Sequence, residues 1–289
     1  MAAAADFSWR ELLKRRMGDR PLIAGIVNAT PDSFSDGKGF VDPAERVAFA
    51  LQLLEEGADL LDIGAESTRP GAAEVPCKVE WLRLEPILQG ILTNRPDAII
   101  SIDTRHADTA YRALQMGAKI INDVSALEFD PAMKDCIAQH NCGAILNYSS
   151  STPELMQSKE YILENNAVEI TAGNLEKILA TALDAGIKRD CIMLDVGIGF
   201  GKSRRANYQL LSKAAWFEQH FELPFCWGVS RKSLLKGDPD TMSKRIAGSL
   251  ALAVKLAEQA ISLLRVHDVA QTVAALDALY ALAEAEISE

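Results

Sequence analysis

Short apolar runs in this chain end repeatedly on groups that hold or move charge. They finish at Asp62, Asp103, Asn122, Asn147 and Asp195, or lead into Ser230-Arg231-Lys232-Ser233 and Arg265-Val266-His267-Asp268. Two chemical sets emerge. Asp103, Asn122, Asp195 and Lys232 combine two carboxylates, an amide and an ammonium. That suits a flat, neutral heterocycle, because a carboxylate accepts both bonds from an amidine-like edge. Arg69, Arg265, His267 and Asn28 form the second set. Guanidinium forks match phosphate oxygens and imidazole donates to the same anion. An asparagine oxygen suits Mg2+, a hard cation that keeps most of its waters. Asn28 also opens a polar loop that runs to Asp36 and holds one aromatic, Phe34.

Each residue alone is weak evidence. An aspartate at a strand end is more often a helix N-cap, and Asp123, Asp130 and Asp268 fit that reading. A lone histidine there is as often a core residue as a catalyst. Gly197-x-Gly199-x-Gly201 is a poor match to nucleotide loops. The strength lies in convergence, which requires a scaffold that brings many strand ends to one place.

The pattern supplies such a scaffold. Strand candidates are Leu22–Val27, Leu60–Ile63, Ile99–Ile102, Lys119–Ile121, Ala144–Leu146, Ile192–Leu194, Phe225–Gly228 and Ser262–Val266. Helix candidates alternate with them: Pro43–Glu56, Lys78–Thr93, Ala107–Met116, Pro131–His140, Tyr161–Ala185, Tyr208–Phe221, Lys244–Gln259 and Val269–Ile287. Gly57, Gly117 and Gly186 stand where helices stop before a strand. Strict alternation implies parallel strands with right-handed crossovers. The expected fold is α/β, a single (β/α)8 TIM barrel over residues 21–289, with its site at the carboxyl ends of the strands. A doubly wound sheet usually has fewer strands and a glycine-rich first turn, which this chain lacks. Residues 1–20 form an N-terminal extension, with a short helix within Asp6–Lys14 closing the barrel's bottom.

Composition narrows the partners. Over 289 residues the net charge is −10, which argues against nucleic acid or an anionic membrane as the main partner. No apolar run reaches transmembrane length, and no signal peptide is expected. Cys77, Cys136, Cys142, Cys191 and Cys226 are scattered without CxxC spacing, as in a reducing cytoplasm.

The ordered motifs resemble the dihydropteroate synthase family from about Leu22 to Leu282. They are Asn28-x-Thr30-Pro31-Asp32-Ser33-Phe34-Ser35-Asp36-Gly37, Asp62-Ile63-Gly64-x-Glu66-Ser67-Thr68-Arg69-Pro70-Gly71 and Ser101-Ile102-Asp103-Thr104. Further on come Ile121-Asn122-Asp123-Val124-Ser125, Gly197-x-Gly199-Phe200-Gly201-Lys202, Ser230-Arg231-Lys232-Ser233 and Arg265-Val266-His267-Asp268. The resemblance implies condensation of 4-aminobenzoate with the pyrophosphate ester of 6-hydroxymethyl-7,8-dihydropterin, by an SN1-like displacement assisted by Mg2+. It implies a pterin site of Asp103, Asn122, Asp195, Lys232, Phe200 and Gly228. Pyrophosphate falls to Asn28, Arg69, Arg265 and His267, with Asn28 on the metal. The aminobenzoate subsite, which is the sulfonamide target, falls to Phe34, Thr68, Pro70, Lys232 and Ser233. Asp103, Lys232, Arg265 and His267 are the catalytic set. A cytoplasmic homodimer is implied, and the Ala- and Leu-rich face of Ser249–Ala260 is a candidate surface.

Four positions depart from the family pattern: Ala65 and Lys38 replace glycines, Val196 replaces a proline, and Asn147 replaces a methionine. They leave open a paralogue with another acceptor or a binding role only. A pterin-dependent corrinoid methyltransferase is a further alternative, but it has no need for the anion-binding set.

Overall fold

A computed structural model describes residues 6–15, 20–30, 42–66, 74–150, 162–236 and 240–287. The strands are β1 Leu22–Asn28, β2 Leu60–Gly64, β3 Ile100–Asp103, β4 Ile120–Asp123, β5 Gly143–Asn147, β6 Ile192–Asp195, β7 Cys226–Trp227 and β8 Leu263–Val266. All pair in parallel in the order β6-β5-β4-β3-β2-β1-β8-β7. A bridge between Leu194 and Phe225 joins β6 to β7, and Leu194 N–H donates to Pro224 O at 3.0 Å. The sheet thus curls into the expected TIM barrel.

Ten helices occur among the described residues. They are α1 Trp9–Leu13, α2 Pro43–Glu55, α3 Cys77–Asn94, α4 Ala107–Met116, α5 Met133–His140, α6 Ala167–Asp184, α7 Arg204–Leu211, α8 Ala214–Phe221, α9 Met242–Ala257 and α10 Val269–Ile287. The three stop glycines all take positive φ, at 101°, 127° and 86°. Two helix expectations need correction. Tyr208–Phe221 is not one helix, because the backbone leaves helical geometry at Lys213 (φ −116°, ψ 21°). Ala206, Leu210, Ala214, Phe217 and Phe221 are buried across that break, so their spacing conceals it. Of the helix expected over Tyr161–Ala185, Tyr161 lies outside the described residues, and the helix runs from Ala167, after Asn166 at φ 50°.

Strand periodicity divides the core into two shells. Leu22, Ala24, Leu60, Ile120, Ile145, Met193, Cys226 and Leu263 fill the barrel interior. Ile23, Leu61, Ile63, Ile102, Ile121, Ala144, Leu146, Leu194, Leu264 and Val266 face outward against the helices. The interior cluster is completed from below by Trp9 and Leu12 of α1. Trp9 is fully buried and its Nε1–H donates to Cys191 O at 2.9 Å. Among the described residues, no helix is long and apolar enough to cross a membrane.

Candidate active site

The inward alternation changes character one layer higher. Two residues beyond Leu60, Ile120, Ile145, Met193, Cys226 and Leu263 come Asp62, Asn122, Asn147, Asp195, Gly228 and Arg265. On β3 the same step leads from Ser101 to Asp103. Register aligns this layer, with Gly64 opposite Asp103, Asp103 opposite Asn122, and Asn147 opposite Asp195. A Cβ on Gly64 would stand 3.2 Å from Asp103 Cβ, so the glycine makes room for that carboxylate.

Asp62 organises one side of the mouth. Its buried Oδ2 accepts from Arg265 Nε at 2.5 Å and from Asn122 Nδ2 at 3.1 Å. Arg265 Nη2 also donates to Asp103 Oδ2 at 2.7 Å. One guanidinium therefore couples two carboxylates and, through Asp62, fixes the Asn122 amide. Burial pushes the Asp103 carboxyl up to about 7 against the pull of Arg265. Burial opposes the Arg265 charge, but Asp62 and Asp103 hold its pKa above the ordinary value.

Asp195 and Lys232 occupy the other side. Asp195 Oδ1 accepts from Gly197 N–H at 2.7 Å, and burial raises its pKa. Lys232 Nζ lies 4.5 Å from the Phe200 ring centroid. Burial, aided by Arg265, lowers its pKa to about 8. A Cβ added to Gly228 would meet open space, so the wall at β7 is recessed where a flat ring can lie. The turn carrying Phe200 wraps around a lysine. Lys202 Nζ donates to Gly197 O, Phe200 O and Tyr148 O at 3.0, 3.1 and 3.1 Å. Gly197 has φ 69°, and a Cβ there would lie 1.9 Å from Tyr148 O. These glycines shape a carbonyl nest for an ammonium, not a phosphate cradle.

His267 follows β8 beside Ser230. Ser230 Oγ accepts from His267 N–H at 3.1 Å and lies 3.0 Å from Nδ1. With Ser230 donating to Nδ1, the imidazole proton rests on Nε2. Burial, then Arg231 and Arg265, lower the His267 pKa to about 3, so the free site holds a neutral imidazole. Arg231 (φ 56°) donates through Nε to Asp268 Oδ2 at 2.9 Å and through Nη2 to Oδ1. This pair ties the segment bearing Lys232 to the segment bearing His267. Asn28 ends β1 exposed, and its side chain has no partner among the described residues. Ser233 opens a short 3-10 turn and is exposed.

Phe34, Thr68, Arg69, Pro70 and Lys38 lie outside the described residues. The base of the second loop is nonetheless defined. Arg105 donates to Glu66 through Nε at 2.9 Å and Nη2 at 2.8 Å. Glu66 Oε1 also accepts from Val75 N–H at 2.9 Å, and His106 Nε2 meets Val75 O at 3.0 Å. Residues 66 and 75 are thus pinned to the end of β3.

Asp62, Lys202 and the Glu66–Arg105 pair were given no role in the site by the sequence reading. A carboxylate inside Leu60-Leu61-Asp62-Ile63 was the available signal, since a charge buried in a strand needs a partner. The cap assignments divide. Asp130 accepts from Ala107 N–H at 2.9 Å and so caps α4 from a neighbouring loop. Asp123 instead holds a turn, accepting from Ser125 N and Leu127 N, both at 2.8 Å. Asp268 precedes α10, but its carboxylate serves Arg231. Of the departures, Ala65 and Val196 are buried in the outer core, and Asn147 stands in the polar layer.

The sequence matches the model of the pterin binding enzyme family over residues 24–267. It is 38% identical over 260 residues to dihydropteroate synthase of Escherichia coli, covering 89% of each chain. The dihydropteroate synthase of Xanthomonas albilineans solved with 4-aminobenzoic acid superposes with a TM-score of 0.81. It is 36% identical and covers 93% of this chain and 94% of that one. The Yersinia pestis dihydropteroate synthase in a sulfonamide drug complex gives 0.83 at 35% identity, covering 92% and 95%.

Proposed function

The chain belongs to the dihydropteroate synthase family of pterin-binding enzymes. From that premise we infer that it joins 4-aminobenzoate to the pyrophosphate ester of 6-hydroxymethyl-7,8-dihydropterin, releasing 7,8-dihydropteroate and pyrophosphate. One observation carries the reading of its site. Asp62, Arg265, Asp103 and Asn122 form one buried network, and Asp195 and Lys232 face the same barrel mouth.

In this reading the pterin lies across the mouth between Asp103, Asn122, Asp195 and Lys232, against Gly228 and Phe200. The bond from the pterin methylene to the pyrophosphate oxygen breaks first, and its electron pair leaves with pyrophosphate. Asp103 offsets the positive charge left on the pterin, while Arg265 meets the negative charge growing on the leaving group. Neutral His267 offers Nε2–H to the same anion. The 4-aminobenzoate nitrogen then forms the new C–N bond and sheds one proton. No enzyme nucleophile is required. Arg69 on pyrophosphate, and Phe34, Thr68, Pro70 and Ser233 around the aminobenzoate, complete the proposal.

Mg2+ fits the chemistry of Asn28. The described residues hold no cluster of three His, Cys, Asp or Glu side chains. A cation that keeps its waters and takes one amide oxygen matches that supply, whereas a zinc site does not. When bound, the ion supplies charge stabilisation to the pyrophosphate. The homodimer and the cytoplasmic setting also belong to the proposal. Ser249, Ala253, Leu256 and Ala257 of α9 are buried within the chain, while Leu250, Leu252 and Val254 are half-buried and Ala251 and Ala260 exposed, so only part of that face is already used.

The deciding assay is pyrophosphate release by the purified protein. Release should require both the pterin ester and 4-aminobenzoate. Pterin binding without release in the presence of both would overturn the synthase reading.

A further inference from the structure

Lys202 follows the turn that carries Phe200 and sends its side chain back into it. Its Nζ donates to Gly197 O at 3.0 Å, to Phe200 O at 3.1 Å and to Tyr148 O at 3.1 Å. The first two oxygens belong to the turn after β6 and the third to the residue after β5, so one side-chain atom joins two neighbouring strand ends. Burial pushes the lysine pKa down to about 7. Three converging carbonyls oppose that, because a neutral amine donates only two hydrogen bonds and an ammonium donates three. The root of the side chain is fixed as well. Leu163 N–H donates to Gly201 O at 2.9 Å, and Ser203 N–H donates to Leu163 O at 3.0 Å. Asn207 of α7 accepts from Gly199 N–H at 2.7 Å and donates to Lys202 O at 3.1 Å.

The same turn forms a wall of the barrel mouth. Gly197 N–H donates to Asp195 Oδ1 at 2.7 Å, which sets the carboxylate. A Cβ on Gly199 would stand 3.3 Å from Lys232 Cδ, so the backbone there packs against that lysine's stem. The Phe200 ring centroid lies 4.5 Å from Lys232 Nζ. Asp195, Lys232 and Phe200 thus take their places from residues 197–200. Lys202 spends all three of its N–H bonds on carbonyls and has none left for a substrate. We propose that Lys202 is a positioning residue: its ammonium locks the turn after β6 onto the end of β5 and so holds Asp195, Lys232 and Phe200 in the geometry that grips the pterin. The proposal rests on the pterin reading of the site given above and deepens it. Such support matters because small displacements of a binding constellation are costly.

The test uses Lys202→Met, which keeps the apolar stem, and Lys202→Ala, which empties the nest. Lys202 keeps 8% of its surface exposed, so a small ion can enter once the side chain is gone. Titration calorimetry with 6-hydroxymethyl-7,8-dihydropterin should show affinity reduced about tenfold in both variants, with kcat/KM down about 100-fold. Ammonium chloride should restore most of the pterin affinity of Lys202→Ala. Tetramethylammonium chloride at the same ionic strength should not, because it has no N–H to donate. Lys202→Met, whose stem still occupies the nest, should gain nothing from either salt. Folded Lys202→Met that binds the pterin like the wild type overturns the proposal. A loss in Lys202→Ala that ammonium leaves unrepaired also overturns it, since the lysine would then serve the fold alone. A wild type that does not bind the pterin overturns it together with the functional reading.

Discussion

Along five of the eight barrel strands, a step of two residues separates a hydrocarbon from a charge or an amide. Below, Leu60, Ile120, Ile145, Met193 and Leu263 pack with Trp9 and Leu12 into an apolar plug. Above, Asp62, Asn122, Asp103 and Arg265 depend on one another for partners, while Asn147 and Asp195 take theirs from backbone groups beside the mouth. The lower layer is non-directional and holds through contact area, while the upper layer needs each oxygen to meet its donor. Stability and chemistry thus share the same strands at different heights, and each can be disturbed separately.

The largest expected separation comes from below. Trp9→Ala removes a fully buried indole and its bond to Cys191 O. It should lower stability by about 3–5 kcal/mol, read by urea unfolding, while kcat measured well below the melting temperature stays at the wild-type value. A matching fall in kcat would mean that the two layers are not independent. Lys232→Ala should do the reverse, cutting kcat/KM about 1,000-fold with little change in melting temperature. Near-normal turnover would remove Lys232 from the pterin site. Asp62→Asn tests whether the upper layer acts as a unit. It weakens the hold on Arg265 and Asn122 and should reduce kcat/KM about 100-fold although Asp62 is not assigned a direct substrate contact.

The smallest effect is a pH dependence. Asp103 is ionised only above about 7, and Lys232 is charged only below about 8. If both charged forms bind the pterin, affinity peaks between those values. It falls about tenfold per pH unit on the acid side as Asp103 takes up a proton, and on the alkaline side as Lys232 loses one. Calorimetry across the neutral range reads both limbs, and Asp103→Asn should flatten the acid one. A profile with no acid limb in the wild type would show that Arg265 keeps Asp103 ionised throughout.

The lower layer and the strand order were legible because burial and alternation write themselves into residue type. The upper layer was legible only in part. Asp103, Asn122, Asp195, Lys232, Arg265 and His267 close their runs, where polar residues stand out. Asp62 is followed by Ile63, so it read as part of a strand, and its role appears only once Arg265, some 200 positions away, lies 2.5 Å from it. Lys202 was equally hidden, because its partners are backbone carbonyls, which carry no residue signature. The Ser212-Lys213 break left no trace for a related reason. It contains neither glycine nor proline, and the buried stripe continues through it.

The seam between β6 and β7 carries a last consequence. It is closed by the Leu194–Phe225 bridge, and β7 itself is only two residues long. Asp195 ends one lip, and Lys232 lies five residues past the end of the other. A molecule gripped by both is a strut across the least stitched joint of the barrel. Substrate would then act as a structural tie: it adds the missing rung and stiffens the cylinder by mass action. The loaded enzyme should accordingly be the more closed and durable form of the two.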